Sequence, residues 1–469
     1  RDQRDPRFTA RQCAEQSMVG GEPRQQTCAE MVREPIRPGQ RRTQLGHDRR
    51  PLDRAAADPA GLLRNADGRR THVDAGPWAI EQFVESGGDC RFIQSFKSFS
   101  ASASFTETQI LGRRYQFEDL LSAFLLKLRD HAGADLGTLP ERVIVGRPVV
   151  FAGNFPDEDL ALSRYEAAFQ RLGFKEVLYA YEPVGAAFFF ARELTEDATV
   201  LVGDFGGGTS DFSIIRFHRE NGEIASTPLG RSGVGVAGDA FDYRIIDQVV
   251  SPELGKGSSY MSFGKTLPIP NRYYSTFARW DQLALMRASR EMREIRRLVR
   301  DAVEPDKLAR LVEVLDENHG YLLYRAVSRL KEALSSQTEA EFRFEAGDIS
   351  IVRTVARAEF EAWITPELTL IEGAVDRALA EANLAPDQID RIFLTGGSSL
   401  VPAVRDIFHR RFDSDRIETG SELESIASGL AQFAFPVFIV ASVVTRGARF
   451  FLVAGIVKKL GPAMMPIIE

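Results

Sequence analysis

The residues with the clearest chemistry lie in one string, Val202-Gly203-Asp204-Phe205-Gly206-Gly207-Gly208-Thr209-Ser210-Asp211-Phe212-Ser213. An apolar run enters three glycines, passes Thr-Ser-Asp and leaves in a second strand-like stretch, Phe212–Phe217. That order predicts a hairpin whose tip carries no side chains, so the N–H groups of Gly206, Gly207 and Gly208 can close on phosphate oxygens. Thr209 adds a hydroxyl donor. Asp204, where the first strand ends, can orient a water or hold a magnesium ion through its hydration shell. A bare glycine hairpin reads equally as a tight turn, but Asp-x-Gly-Gly-Gly-Thr-x-Asp is far more specific. A second turn, Gly396-Gly397-Ser398, follows another apolar run. No Gly-x-x-x-x-Gly-Lys-Ser/Thr string occurs, which excludes a Walker loop.

Such turns need strands to aim them and helices to brace them. From Trp78 to Ala431 short apolar runs alternate with amphipathic stretches, the pattern of an α/β protein. Strands are predicted at Arg142–Gly146, Thr199–Gly203 and Arg391–Thr395. Helices are predicted at Phe117–His131, Asp157–Leu172 and Arg357–Ala382, the last with Pro366 as a kink or restart. A charged helical zone runs from Trp280 to Leu334, broken at Pro305. The pairing of strand with glycine turn recurs near Gly206 and Gly396, which points to an internally related architecture.

The whole chain has 469 residues, enough for about three domains. Its 44% hydrophobic, 27% charged and 10% aromatic content excludes collagen-like, disulfide-rich and wholly disordered classes. A net charge of -7 argues against a general nucleic-acid binder. Three cysteines (Cys13, Cys28, Cys90) without a CxxC pair supply neither a disulfide framework nor a zinc site, and point to a reducing cytoplasm. No secretory leader pattern opens the chain.

The two ends differ from the middle. Residues 1–77 hold about fifteen arginines, no lysine and no tyrosine, without helical or strand period. They read as disorder, as an arginine-rich arm for nucleic acid or anionic lipid, or as a start in a shifted frame. The last is favoured, because a GC-rich gene read out of frame yields arginine without lysine. Residues 432–469 contain two apolar runs, Phe433–Val444 and Phe450–Val457, each short of the roughly 20 residues a bilayer span needs. Arg446 and Arg449 lie between them, at a depth where lipid penalises charge. A membrane contact through 433–457 and a C-terminal helix buried on the preceding domain are the two alternatives.

The Asp204–Asp211 string resembles the second phosphate loop of the actin-like ATPase superfamily, and closely that of the heat shock protein 70 (DnaK) family. Further blocks match in order: Tyr181-Glu182-Pro183 as the first connecting helix, Gly238-Asp239-Ala240-Phe241-Asp242 beside the ribose, Lys331 to Ser335 at the adenosine, and Thr395-Gly396-Gly397-Ser398 as the adenosine loop. The resemblance covers Trp78 to Ala431. Val145-Gly146-Arg147-Pro148 looks like YegD-type relatives that lack a peptide-binding domain, and the tail resembles a fragment of a DedA/YqaA-type membrane protein.

The resemblance implies an α/β, actin-like ATPase fold, with two ribonuclease-H-like lobes around a nucleotide cleft and the first lobe incomplete. Lobe I would span 78–196, and lobe II 197–420 with a helical insertion at about 243–340. A return segment to lobe I would follow at 421–431, and the apolar tail at 432–469. Connecting helices at Glu182 and Glu424 would form the hinge. ATP or ADP with Mg2+ is the implied cofactor, held by Gly206, Gly207, Gly208, Thr209, Asp211, Gly238, Lys331, Ser335, Gly396, Gly397 and Ser398. Asp204, Glu182 and Lys97 would be catalytic, and Asp204 would face the metal through water. The implied role is that of a cytoplasmic ATP-binding, chaperone-like ATPase, with protein clients or co-chaperones as partners and no nucleic acid.

Departures from the family pattern bear on turnover. The opening strand and first phosphate loop, of the Gly-Ile-Asp-x-Gly-Thr type, have no match in 1–77, so ATP hydrolysis is expected to be impaired and one sheet edge unpaired. Glu332 and Leu400 stand where the family stacks two arginines on adenine. A hydrolysis-deficient nucleotide-binding scaffold acting through protein partners is therefore the alternative, and a sugar or acetate kinase a third.

Overall fold

The computed structural model describes residues 73–76, 78–79, 93, 95–110, 113–132, 141–153, 155–191, 194–220, 223–287, 289–317, 319–419, 425–426, 429–430, 438–442 and 451–453. The arginine-rich opening up to residue 72, the three cysteines, Glu424 and the stretches 443–450 and 454–469 lie outside the described residues. The chain divides into a unit Arg1–Asp53 and a unit Arg54–Glu469, and every element below belongs to the second.

In the first lobe a 3-10 turn, Phe96–Phe99, precedes a small hairpin of β1 (Thr108–Ile110) and β2 (Arg113–Tyr115) and a helix, α1 (Phe117–Ala132). Strands β3 (Arg142–Arg147) and β4 (Glu176–Tyr181) pair in parallel through the crossover helix α2 (Glu158–Arg171). Asp157 caps α2 by accepting the Leu160 N–H at 2.9 Å. The Val143-Ile144-Val145 run of β3 is buried throughout, as befits a parallel strand covered on both faces. Phe117, Leu121, Tyr165 and Phe169 from the two helices pack on Val143 and Val145. Helix α3 (Glu182–Ala191) follows β4 without a break, and its Phe188 and Phe190 join the core shared with the second lobe.

The second lobe opens with an antiparallel meander, β5 (Ala198–Phe205), β6 (Ser210–Glu220) and β7 (Glu223–Val234). Every residue of β5 is buried. Then come α4 (Gly238–Ile245), a hairpin β8 (Ser259–Ser262) and β9 (Lys265–Pro268), and helices α5 (Arg272–Phe277), α6 (Trp280–Met286), α7 (Arg290–Leu298), α8 (Pro305–Asp316) and α9 (Gly320–Ser336). A second hairpin, β10 (Glu339–Ala346) with β11 (Ile349–Ala356), leads to α10 (Arg357–Trp363) and α11 (Thr365–Ala382). Strand β12 (Arg391–Thr395), helix α12 (Pro402–His409) and strand β13 (Ile417–Thr419) complete the lobe, and its sheet runs β13-β12-β5-β6-β7. The predicted Arg357–Ala382 helix is thus two helices, with Pro366 restarting the second in its first turn, where a missing N–H costs nothing. The charged zone from Trp280 resolves into four helices, Pro305 opening the third. The β8–β9 hairpin was not legible because β9 is exposed along its length and shows no alternation.

The tail departs from expectation. Strand β14 (Phe438–Ser442) lies parallel to β3, with Phe438–Ala441 along Arg142–Val145, and β15 (Phe451–Val453) lies antiparallel to β14. The edge of the first lobe expected to be open is therefore paired, in the order β15-β14-β3-β4. The buried C-terminal helix is likewise corrected, since these residues are strands. Branched and aromatic residues suit a ladder, and the edge of β3 offers unpaired backbone groups. No helix among the described residues is long and apolar enough to cross a membrane. The relation of β15-β14-β3-β4 repeats that of β6-β5-β12-β13 in the second lobe, so the two sheets share one plan.

Candidate functional site

Both lobes send turns to the same place. At the end of β5 the chain bends through Gly206–Thr209, closed by the Gly206 N–H donating to the Thr209 carbonyl at 3.0 Å. Two N–H groups at the start of α4 bond this turn: Asp239 donates to the Gly207 carbonyl at 2.8 Å and Gly238 to the Gly206 carbonyl at 3.4 Å. The Ser398 hydroxyl donates to that same Gly206 carbonyl at 3.4 Å. The Gly396–Ser398 turn and the Gly206–Thr209 turn thus meet directly. Gly396 has φ +77°, and a Cβ there would lie 2.2 Å from the Phe205 carbonyl oxygen, so only glycine lets the two turns approach. A Cβ on Gly238 would lie 2.7 Å from the Ser398 Oγ.

The first lobe faces these turns with Lys97 and Glu182. Lys97 comes from the Phe96–Phe99 turn and Glu182 from the first residue of α3, and their Nζ–Oε1 distance is 2.9 Å, with Glu182 2% exposed. Burial alone would weaken the ammonium, but the Glu182 carboxylate together with Tyr165 and Asp211 outweighs it and lifts Lys97 above its ordinary value. Asp204 is buried near this pair. Burial, with the Glu182 and Asp211 charges, pushes its carboxyl well above the ordinary value.

Asp211 ties the lobes together. Its Oδ1 accepts the Val149 N–H at 2.7 Å and the Val150 N–H at 3.1 Å, both just past Pro148. Burial raises this carboxyl to about 7. Thr209 is buried beside it, and a Cβ on Gly208 would meet Ala152 at 3.4 Å.

Lys331 of α9 reaches the same region. Its Nζ donates to the Gly238 carbonyl at 3.3 Å and pairs with Asp242. The Trp280 indole N–H donates to the other Asp242 oxygen at 3.0 Å. Ser335, one turn along α9, is spent on its own helix through the Lys331 carbonyl at 2.9 Å. Gly397 is buried within the Gly396–Ser398 turn. Glu332 and Leu400 are both exposed, with no arginine in their place.

Sequence reading missed Trp280 as a part of this site, and it placed Asp239 and Asp242 in the block beside the ribose without giving either a role of its own. Burial beside Asp242 raises the Asp239 carboxyl to about 6. The spacing Asp-x-x-Asp on one helical turn was a signal for the two aspartates, whereas Trp280, 38 residues from Asp242, gave none. A separate cavity of about 570 Å³ opens at the other ends of β5, β12 and β13, lined by Asp197, Asp390 and Glu418, and holds none of the residues above.

The donor set fits a magnesium nucleotide. Three buried carboxylates, Asp204, Asp211 and Glu182, face one lysine, an excess of negative charge that a divalent cation would offset. Glycines line the turns where phosphate oxygens would need bare backbone. Among the described residues no three His, Cys, Asp or Glu side chains gather as direct metal ligands.

Ile426 and Leu430 pack on α3, and a Cβ on Gly429 would lie 1.6 Å from the Gly185 carbonyl oxygen. Ser425 meets the Thr395 hydroxyl at 2.8 Å, which links this return segment to the end of β12. The sequence model of the Hsp70 protein family matches residues 93–257 and 311–436, a span that takes in both facing turns, Lys97, α3 and the return segment. The chain belongs to the Hsp70 protein family.

Proposed function

We propose that the chain binds ATP or ADP with magnesium between its lobes and acts as a chaperone-like protein whose nucleotide state sets lobe closure. The observation that carries this reading is the meeting of the Gly206–Thr209 turn, Gly238 and Ser398 opposite Lys97 and Glu182. Gly206, Gly207, Gly208 and the Thr209 hydroxyl would bind the phosphates; Gly238, Lys331, Ser335 and the Gly396–Ser398 turn would border the nucleoside. Magnesium, when bound, supplies positive charge at the terminal phosphates. Glu182 and Asp204 would orient the attacking water, and Lys97 would hold charge on the far side. Asp211 would transmit closure through the Val149 and Val150 amides.

Support for a YegD-type member is the Val145-Gly146-Arg147-Pro148 wording. Partners would be protein clients or co-chaperones in the cytoplasm. Membrane contact through the tail loses its support at 438–442 and 451–453, which lie in the first lobe's sheet.

Differential scanning fluorimetry tests the binding. ATP or ADP with magnesium should raise Tm, and Thr209→Ala or Asp204→Asn should abolish the rise. No shift with any nucleotide sinks the reading. A second reading, nucleotide binding without turnover, is favoured by the exposed Glu332 and Leu400 at the base-stacking positions. Phosphate release that Asp204→Asn abolishes would rule it out.

A further inference from the structure

Tyr181, the last residue of β4, directly precedes Glu182 and carries a cation from each lobe. The Arg231 guanidinium, from β7 of the second lobe, lies 4.6 Å from the centre of its ring. The Arg147 guanidinium, from the end of β3, lies 4.9 Å from the same centre and 5.1 Å from that of Phe151. Arg147 is fixed in place: its Nε donates to the Pro148 carbonyl at 3.1 Å and its Nη1 to Glu158 at 2.7 Å, with the side chain 7% exposed. Glu158 balances both cations, and its hydrogen bond to Arg147, with the further pull of Arg231, holds its carboxyl below the usual range. Arg231 is exposed and comes from the far side of the cleft.

Position gives this contact its meaning. Arg231 pairs with Ser213 of β6, the strand that leaves the Gly206–Thr209 turn. Tyr181 is covalently joined to the partner of Lys97. Opening of the lobes would draw Arg231 off the ring.

We propose that Arg231 and Tyr181 form a latch between the lobes, positioning residues that hold Glu182 in its closed place and slow the release of bound nucleotide. The inference rests on the nucleotide reading above. A cation over an aromatic ring that solvent reaches changes an equilibrium constant by about 2- to 5-fold.

Stopped-flow release of a fluorescent ADP analogue from the full chain tests it, with Tm measured alongside. Arg231→Gln should speed release about 2- to 5-fold while leaving the nucleotide-free Tm unmoved, since the side chain is exposed. Arg231→Lys and Tyr181→Phe keep charge and ring face and should release like the parent chain. Tyr181→Leu should match Arg231→Gln, and the double variant should be no faster than either. Unchanged release in Arg231→Gln, or additive effects in the double variant, overturns the latch. Tyr181→Phe behaving like Tyr181→Leu overturns it too, because the hydroxyl and not the ring would then matter. If the unaltered chain binds no analogue, the nucleotide reading has failed and the latch falls with it, an outcome told apart because no variant is needed to see it.

Discussion

Burial raises the Asp211 carboxyl from 3.8 to about 7, and Asp204 is raised for the same reason. An acid raised in the folded state keeps its proton where the unfolded chain has lost it. Its stabilising contribution is complete below the unfolded value near 4 and disappears as pH climbs through about 7. The nucleotide-free protein should therefore lose stability between pH 5 and pH 8, by on the order of a few kcal/mol for Asp211. Urea denaturation at both pH values should show a smaller loss in Asp211→Asn than in the parent chain. The readout is the difference between the two pH values, because the amide leaves a buried N–H₂ whose own cost acts equally at both. Equal losses in the two chains would show that Asp211 does not titrate in that window. Magnesium nucleotide should flatten the dependence in the parent chain, by favouring the ionised carboxylates.

Among the elements, the approach of Gly429 to Gly185 is the contact with least slack. Helix α3 and the return segment cross where Gly185 meets Gly429, and a methyl group on Gly429 would fall inside the Gly185 carbonyl. Gly429→Ala must push α3 and the segment around Gly429 apart, and overpacking of this kind costs about 1–3 kcal/mol. A lowered urea midpoint with an unchanged slope is the expected result; an unmoved midpoint would mean that the crossing relaxes freely. The Gly396 turn is equally intolerant for a different reason, since its φ of +77° disfavours any side chain and its Cβ would strike the Phe205 carbonyl oxygen. Gly396→Ala should lower the midpoint by a comparable amount and weaken nucleotide binding as well, because Ser398 would move with the turn. A binding constant unchanged in a folded Gly396→Ala chain would separate that turn from the site.

Over the whole molecule, the two sheets follow one plan, and the first owes its full width to residues far along the chain. Strand β14 covers the edge of β3, and β15 covers β14. A chain ending at Ala431 should show faster hydrogen exchange at Arg142–Val145 than the full chain, while β5 in the second lobe keeps its protection. Equal protection of β3 in both chains would count against that pairing in solution. The chemistry-bearing turns, the strands at 142, 199 and 391 and the proline restarts were legible because they depend on local physics: glycine φ, apolar runs and a missing N–H. The β8–β9 hairpin, the Asp242–Trp280 contact and the filling of the first lobe's edge were not, because no local signal marks them. By itself, the sequence determined which residues could grip an anion and that strands and helices would alternate around them. Only the tertiary structure decided that the Gly206 and Gly396 turns meet, that Lys97 finds Glu182, and that an apolar tail becomes a strand, since each is a pairing of distant segments chosen by burial and by unsatisfied backbone groups.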